Sequence, residues 1–492
     1  MDIIMDKSEL GCRREIWWGS ARREEMTECV VPDTYPDIGS IIDVCAQVFI
    51  RGKTASGDRA AVECAVVCSV LYTGEGEGSG VFRLETEIPL SLTADVAGAN
   101  EETDIMAVPE LENIEVRLLN PRKILAKAEL RADMRCFMPG TLTVTSTATG
   151  DDRLQLLEQS CPAFPVTDVR EKTFVITDEI ALPPAPEGYG RILAHSVSLG
   201  VQDVKFVGSK LIFKGEAAMR ILAEPEGNTA PVFFCSSFSF SQIMELSCEA
   251  ENARVELCLT DSCLSLGENE QGKPVINAEL HILAQAAAGV SREVSYIADA
   301  YSNAGECEIA AEEMPVPQEW VTTQLRDTFR CTLDTPTAVR QVICANIRCA
   351  VPGYSENGVS ARVTVSCMYI DENGALASTV KCDTLRLDGE MPGDIRGIRL
   401  NWGEVYAAPA VGGVDVRVPV EVSVMSCADV NICSVCGITL TEKESAEKRP
   451  SVYVIPNMGA DLWMLAKKYH STVELIEANN SEAGDVILIP VQ

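Results

Sequence analysis

The sequence predicts a mainly β protein: three tandem β-rich units of sandwich or barrel type, followed by a small strand–helix–helix–strand module. Two observations carry this reading. Short runs rich in valine and threonine alternate apolar with polar residues, each closes on an acidic or glycine-containing turn, and the succession recurs three times. Helical periodicity, by contrast, is concentrated near the C-terminus.

The repeat is anchored by one strand-and-turn pattern. Residues 62–72 alternate and run into Thr73-Gly74-Glu75-Gly76; residues 213–223 run into Glu224-Pro225-Glu226-Gly227; residues 359–370 run into Asp371-Glu372-Asn373-Gly374. Each anchor follows an apolar strand (41–44, 192–195, 342–345) and precedes a further strand and a last hairpin. A period of about 150 residues means tandem domains and not a solenoid of small repeats. The expected units are 27–150, 165–305 and 306–440, with 1–26 as a separate N-terminal segment.

The charged run 441–450 reads as a hinge that leaves the last module, 451–492, free to find a partner. In that module Leu462, Leu465, Ala466 and Tyr469 fall at i, i+3, i+4 and i+7, the stripe of a short helix. Ser471 and Glu474 form a capping-box pattern opening a second helix with Val473 and Ile476. Apolar runs at 452–455 and 486–489 flank the pair as strands.

Composition excludes several classes. With a net charge of −32, the chain repels nucleic-acid phosphates and anionic lipid surfaces. Its modest basic pairs, Arg13-Arg14, Arg22-Arg23 and Arg122-Lys123, read as solvated surface. No run approaches eighteen apolar residues, and residues 1–10 lack the apolar core of a secretion signal, so a cytosolic protein is expected. The 20 cysteines extend strand faces, as Cys64 and Cys68 do beside Val62, Val66 and Val70, and as Cys367 does after Val365. They are expected to be reduced thiols behaving as small hydrophobes. Cys433 and Cys436 form a close pair without a well-spaced second pair, so no metal is expected.

An active site is not expected either. The 3 histidines, His195, His281 and His470, carry no motif around them, and phosphate loops, nucleophile elbows and His-Glu-x-x-His helices are missing from the sequence. No cofactor is predicted. His195 and His281 could meet across a sheet, although ordinary core or surface histidines are the expectation.

Two resemblances add to this reading. The last module resembles LysM, a small domain known for binding N-acetylglucosamine polymers in a groove between two loops. The matching positions here are Gly459, Ala460, Asp461 and Leu462 in the first loop and Asn480, Ser481 and Glu482 in the second. The first loop has a disturbed order, the second is short, and Glu482 and Asp485 add negative charge, which weakens the glycan reading. In the first unit, the words at 31–38 (Val-Pro-Asp-Thr-Tyr-Pro-Asp-Ile) and Asn120-Pro121-Arg122-Lys123 resemble the SPOCS family of endospore-forming bacteria. The second word reads as a turn whose proline fixes φ and whose basic pair caps the strand entry. Units two and three carry Thr260-Asp261-Ser262-Cys263 and Asn401-Trp402-Gly403-Glu404 where that word is expected.

By resemblance, the protein is expected to be a non-enzymatic adaptor of spore-coat assembly, held at the forespore surface in the mother-cell cytosol. The implied partner of its LysM-like module is the coat basement-layer ATPase, of the stage IV sporulation protein A type. The alternative is a peptidoglycan binder of the cell wall or spore cortex.

Overall fold

The computed structural model describes residues 3–491 apart from 76–79, 186, 228–229, 304, 356, 392, 429, 442–449, 458, 460 and 481–484. Unit one comprises β1 (Ile4–Val30), β2 (Ile38–Ser56), β3 (Arg59–Gly74), β4 (Val81–Asp95), β5 (Asp104–Asn120) and β6 (Lys123–Thr149). Unit two runs through β7 (Leu154–Ala163), β8 (Val166–Ala181), β9 (Tyr189–Val207), β10 (Lys210–Pro225), β11 (Val232–Glu245), β12 (Asn252–Glu268), β13 (Pro274–Gly289) and β14 (Arg292–Ser302). Unit three follows as β15 (Glu306–Val316), β16 (Val321–Asp334), β17 (Val339–Ser355), β18 (Gly358–Asp371), β19 (Leu376–Asp388), β20 (Ile395–Trp402), β21 (Tyr406–Ala410), β22 (Gly413–Ser426) and β23 (Val430–Thr441). The tail is β24 (Val452–Pro456), α1 (Leu462–Tyr469), α2 (Val473–Asn479) and β25 (Val486–Pro490). The protein is mainly β, as the alternation predicts.

Every unit has the same plan. Its middle strands form an antiparallel meander, β2-β3-β4, β9-β10-β11 or β17-β18-β19, and its first and last strands close a second sheet in the order β1-β6-β5, β8-β13-β12 or β16-β22-β20. The alternation that predicts these strands also fills their cores. Val414, Val416, Val418, Val420, Val422 and Val424 of β22 are all buried, while Asp415, Arg417 and Glu421 point the other way. Ile124, Ala126, Ala128, Leu130, Ala132 and Met134 do the same in β6. Each fully buried valine or leucine contributes about 1.5–3 kcal/mol relative to exposure, so these faces dominate the fold.

Beyond the paired sheets, each unit extends a two-stranded ribbon. In units two and three the ribbons are β7 with β14 and β15 with β23. In unit one the ribbon is continuous with the sheet: β1 pairs with β6 over its whole length, and the register shift between Glu15 and Trp17 separates ribbon from sheet. Residues 4–26, which fall in the segment 1–26 expected to be separate, therefore supply most of the first strand of unit one. Its charged sequence, with apolar residues thinly spaced, hides a strand whose pairing comes largely from the backbone.

The three units close on one another as a pseudo-threefold ring. The last meander strand of each unit packs on the first meander strand of the next: β4 on β9, β11 on β17, and β19 back on β2. Equivalent strands of all three units meet in one cluster, through Ile42, Leu193 and Cys344. The three ribbons meet in another, through Val144, Cys161, Val294, Val316 and Ile432. The unit-one core takes in Cys258 and Leu283 of unit two, and the unit-two core takes in Phe49 of unit one. Tandem units in sequence are thus one interlocked body in space. No helix among the described residues is long and apolar enough to cross a membrane.

Candidate functional site

The tail folds around Ala466, Ile476, Ile487 and Ile489, all buried, with β24 and β25 antiparallel. Asp461 caps α1, its Oδ1 accepting from Trp463 N at 2.9 Å. The second cap differs from expectation. Thr472, not Ser471, caps α2, accepting from Leu475 N at 3.2 Å. Ser471 is buried one residue earlier and donates to the Pro490 carbonyl. The capping-box spacing from Ser471 to Glu474 is therefore coincidental. Between the helices His470 adopts φ 53°, a left-handed turn residue whose N–H closes on Ala466.

Of the expected groove positions, Ala460, Ser481 and Glu482 lie outside the described residues. Gly459 sits at φ 71° in the first loop, Asp461 is the cap just described, and Leu462 packs on the tail core. Asn480 works as an internal clamp: its amide donates to Ile476 O and Leu488 O at 2.6 and 2.7 Å and accepts from Leu488 N at 2.8 Å. Both of its polar ends are engaged within the tail.

The tail also docks on the ring, against the expectation of a free module. Asp299 of β14 accepts Trp463 Nε1 at 2.8 Å and Lys467 Nζ at 2.6 and 2.7 Å. Tyr301 stands edge-on to the Trp463 ring, centroids 4.8 Å apart, and its hydroxyl donates to Ser471 O at 2.8 Å. Burial raises Asp299's pKa, but the bonds from Lys467 and Trp463 outweigh it and hold the carboxyl below the usual range. Burial pushes the Tyr301 hydroxyl up to about 12, so it remains a donor. Trp463 is thus a packing residue whose polar edge has a partner. A charged linker alone does not signal this, because the receiving residues lie some 160 positions earlier, Tyr301 to Trp463.

The opposite side of the tail is different in character. Val452 and Val454 of β24 and Val486 and Leu488 of β25 are all exposed, on the sheet face turned away from the helices. Four apolar side chains on a two-stranded sheet thus form an uncovered face.

The Asn120-Pro121-Arg122-Lys123 word forms the β5–β6 turn and clasps the 31–38 word. Asn120 Oδ1 accepts from Arg122 N at 2.9 Å, while Ile38 N donates to Pro121 O at 2.7 Å and Val31 N to Arg122 O at 2.9 Å. The Arg122 guanidinium reaches Asp37 at 2.6 Å and the carbonyls of Val31 and Pro32 at 3.0 Å each. Lys123 pairs with Glu28. The two words that carry the family resemblance are therefore one structural lock. In unit two the corresponding turn joins β12 to β13 at Asn269–Lys273, whereas Thr260–Cys263 lies within β12. The expected correspondence there is displaced because β12 continues past a register shift between Leu259 and Asp261.

The histidines stand apart. His195 Nε2 lies 3.2 Å from Ser262 Oγ, and burial pushes its pKa down to about 4. His281 bonds Glu279 at 2.7 Å on the surface, and His470 Nδ1 lies 3.4 Å from Ser302 O. Among the described residues, no carboxylate bonds the second nitrogen of His195, and no cluster of three metal-ligating side chains occurs. The cysteines are free, and burial pushes Cys64, Cys68 and Cys367 up to about 12, far from the reactive thiolate range.

Comparison with known proteins places residues 37–119 in the family described as SipL, SPOCS domain. The match spans β2 to β5 of unit one. The chain thus carries a SPOCS domain and resembles SipL in it. No curated protein and no solved structure matches the chain.

Proposed function

We propose that the chain is a non-enzymatic scaffold of endospore-coat assembly, in which the ring of three units is the rigid body and the tail, read as a LysM module, carries the partner contact. The SPOCS match in unit one supports the coat role. The partner contact rests on one observation: the uncovered apolar face of Val452, Val454, Val486 and Leu488. Such a face buries well against another protein and poorly against a hydroxylated glycan, whose recognition relies on hydrogen bonds. The partner in this reading is the coat basement-layer ATPase, and the protein works from the mother-cell cytosol at the forespore surface.

The experiment offers the full chain both purified basement-layer ATPase and purified peptidoglycan, alongside the variant Val454→Asp/Leu488→Asp. The expected result is ATPase binding that the double variant loses by at least about tenfold, the effect of desolvating charge in an apolar contact. Binding to peptidoglycan with none to the ATPase would replace this reading with that of a wall or cortex binder.

A further inference from the structure

Strand β5 is an edge strand, paired with β6 alone. Along such a strand the residues alternate, one turning its N–H and C=O into the ladder and the next turning both outward. Ala107 fixes the phase, because its N–H and C=O go to Gln285 of unit two and not to β6. Ala107 stands opposite Met134, and every second residue of β6 from there meets an outward residue of β5. These are Pro109 and Leu111, opposite Ala132 and Leu130. Past the register shift at Leu111/Asn113 they are Ile114, Val116 and Leu118, opposite Ala128, Ala126 and Ile124.

The edge is closed at its start and open at its end. Gln285 supplies both bonds of Ala107, and Pro109 has no N–H to offer. Ile114, Val116 and Leu118 bond no group across the edge among the described residues. Their stretch borders a groove of about 780 Å³ at the seam between units one and three, with Arg362, Val380 and Cys382 on the far wall. Val116 is half-buried and Leu118 is 41% exposed, so this edge reaches solvent.

The other two seams are bridged by side chains of the chain itself. In unit two, Ser262 holds the place of Ile114, one residue past the shift at Leu259/Asp261. Its N–H donates to Asp261 Oδ1 at 2.9 Å, and Arg51 of unit one donates to Thr260 O at 2.7 Å. In unit three, Gly403 O accepts from Arg220 of unit two at 3.3 Å. The buried Leu71, Leu222 and Met368 mark one position of the repeat, and opposite them stand Arg83, Phe233 and Ser378. Two residues before Leu222 is Arg220, and two before Met368 is Ser366. Unit three thus presents short side chains to unit one, and this seam stays wide. The matching cavity between units one and two, with Arg83 in its wall, is about 300 Å³.

A row of unpaired backbone donors and acceptors is read by an extended chain. We propose that the outer edge of β5 at Ile114–Leu118 takes an extended segment of a partner protein as an added strand. The side chains of that segment alternate between two environments. One set lies beside Ile114 and Val116, which face the core, and the other beside Glu115 and Glu129 on the outer face. Of the groove's other charges, Asp43 is held by Arg348 and Glu112 by Arg22, which leaves two carboxylates against Arg362. Glu115 meets Arg117 at the exposed surface, where an ion pair contributes little. The segment that fits therefore alternates apolar with basic residues. The site is independent of the tail and of what the tail binds.

The test uses the full chain and a synthetic peptide alternating valine with lysine, with its glutamate counterpart and a backbone N-methylated copy as controls. In the free chain the outward amides of Ile114, Val116 and Leu118 are expected to exchange fast with deuterium, and the lysine peptide alone to protect them. Val116→Pro removes one outward N–H and no ladder bond, as Pro109 does in the same strand, and is expected to weaken binding by about tenfold. Val380→Lys, at an exposed position of the far wall, is expected to weaken it several-fold by like-charge repulsion. This second variant keeps the question decidable if Val116→Pro misfolds. Slow exchange of these amides in the free chain, no protection by the lysine peptide, or binding unchanged in both variants overturns the proposal. Dimers of the free chain that Val116→Pro abolishes would seat a second copy in the groove and overturn its assignment to another protein.

Discussion

The side-chain amide of Gln285 pairs with the backbone of Ala107 as a neighbouring strand would: Nε2 donates to Ala107 O at 2.8 Å, and Ala107 N donates to Oε1 at 3.0 Å. Gln285 belongs to unit two and Ala107 to unit one, and both are fully buried. Lys53 Nζ adds a third bond to Oε1 at 2.7 Å. The amide thus satisfies the backbone of a strand edge at an interface that water does not reach.

Gln285→Leu is expected to destabilise the protein by about 1–3 kcal/mol, because the N–H of Ala107 loses its partner and its C=O keeps only the Cys258 thiol, while the side-chain volume is roughly kept. Urea unfolding should show a lower midpoint. An unchanged midpoint would mean that the two units are not coupled through this bond.

Arg122→Lys is expected to destabilise unit one nearly as much as Arg122→Ala, by about 1.5–3 kcal/mol in the latter, the range for hydrogen bonds to charged groups. A lysine ammonium cannot span Asp37 and the carbonyls of Val31 and Pro32 as the guanidinium fork does. Full rescue of the unfolding midpoint by lysine would show that charge alone matters.

Much of this architecture is legible in the sequence, and what is not has a physical reason. Alternation in β3, β10 and β18 exposes the repeat, because one face of each strand is buried and period two follows. The first strand, Ile4–Val30, escapes, since polar residues such as Glu9, Arg13 and Glu25 are tolerated where pairing is through the backbone. Ring closure is equally hidden: the contacts of β4 with β9 and β19 with β2 depend on residues far apart in sequence with no periodic signature. At the tail, the helix stripe of Leu462, Leu465 and Ala466 is plain, but the docking of Trp463 on Tyr301 and Asp299 is not.

His195 gives the protein a dependence on acid. Its folded pKa of about 4 lies below the ordinary 6.5, so the unfolded chain binds the extra proton more readily. The stability this neutral histidine contributes is fully present above about pH 6.5 and is lost progressively as pH falls from there to 4. His195→Gln is expected to flatten the unfolding midpoint over that window. A slope identical to the parent's would assign the acid sensitivity to carboxylates.

The docked tail supplies the last prediction. Asp299 is held ionised by Lys467 and Trp463, with its pKa depressed, so its contribution is present above the ordinary carboxylate range and fades only as pH falls through that depressed value. Docking is therefore expected to be constant from neutral pH down to about 4, below which protonation of the carboxyl loosens it. Asp299→Asn should release the tail at neutral pH by removing the charge, and Trp463→Ala by removing both the ring contact with Tyr301 and the indole donor. Release is read by protease cleavage in the 441–450 run of the full chain, with the ring's thermal transition as the control for folding. Cleavage should accelerate several-fold in both variants, since the local opening free energy falls by the order of one charged hydrogen bond. Equal cleavage in parent and variants, with the ring intact, would establish that the tail swings free of Asp299 in solution.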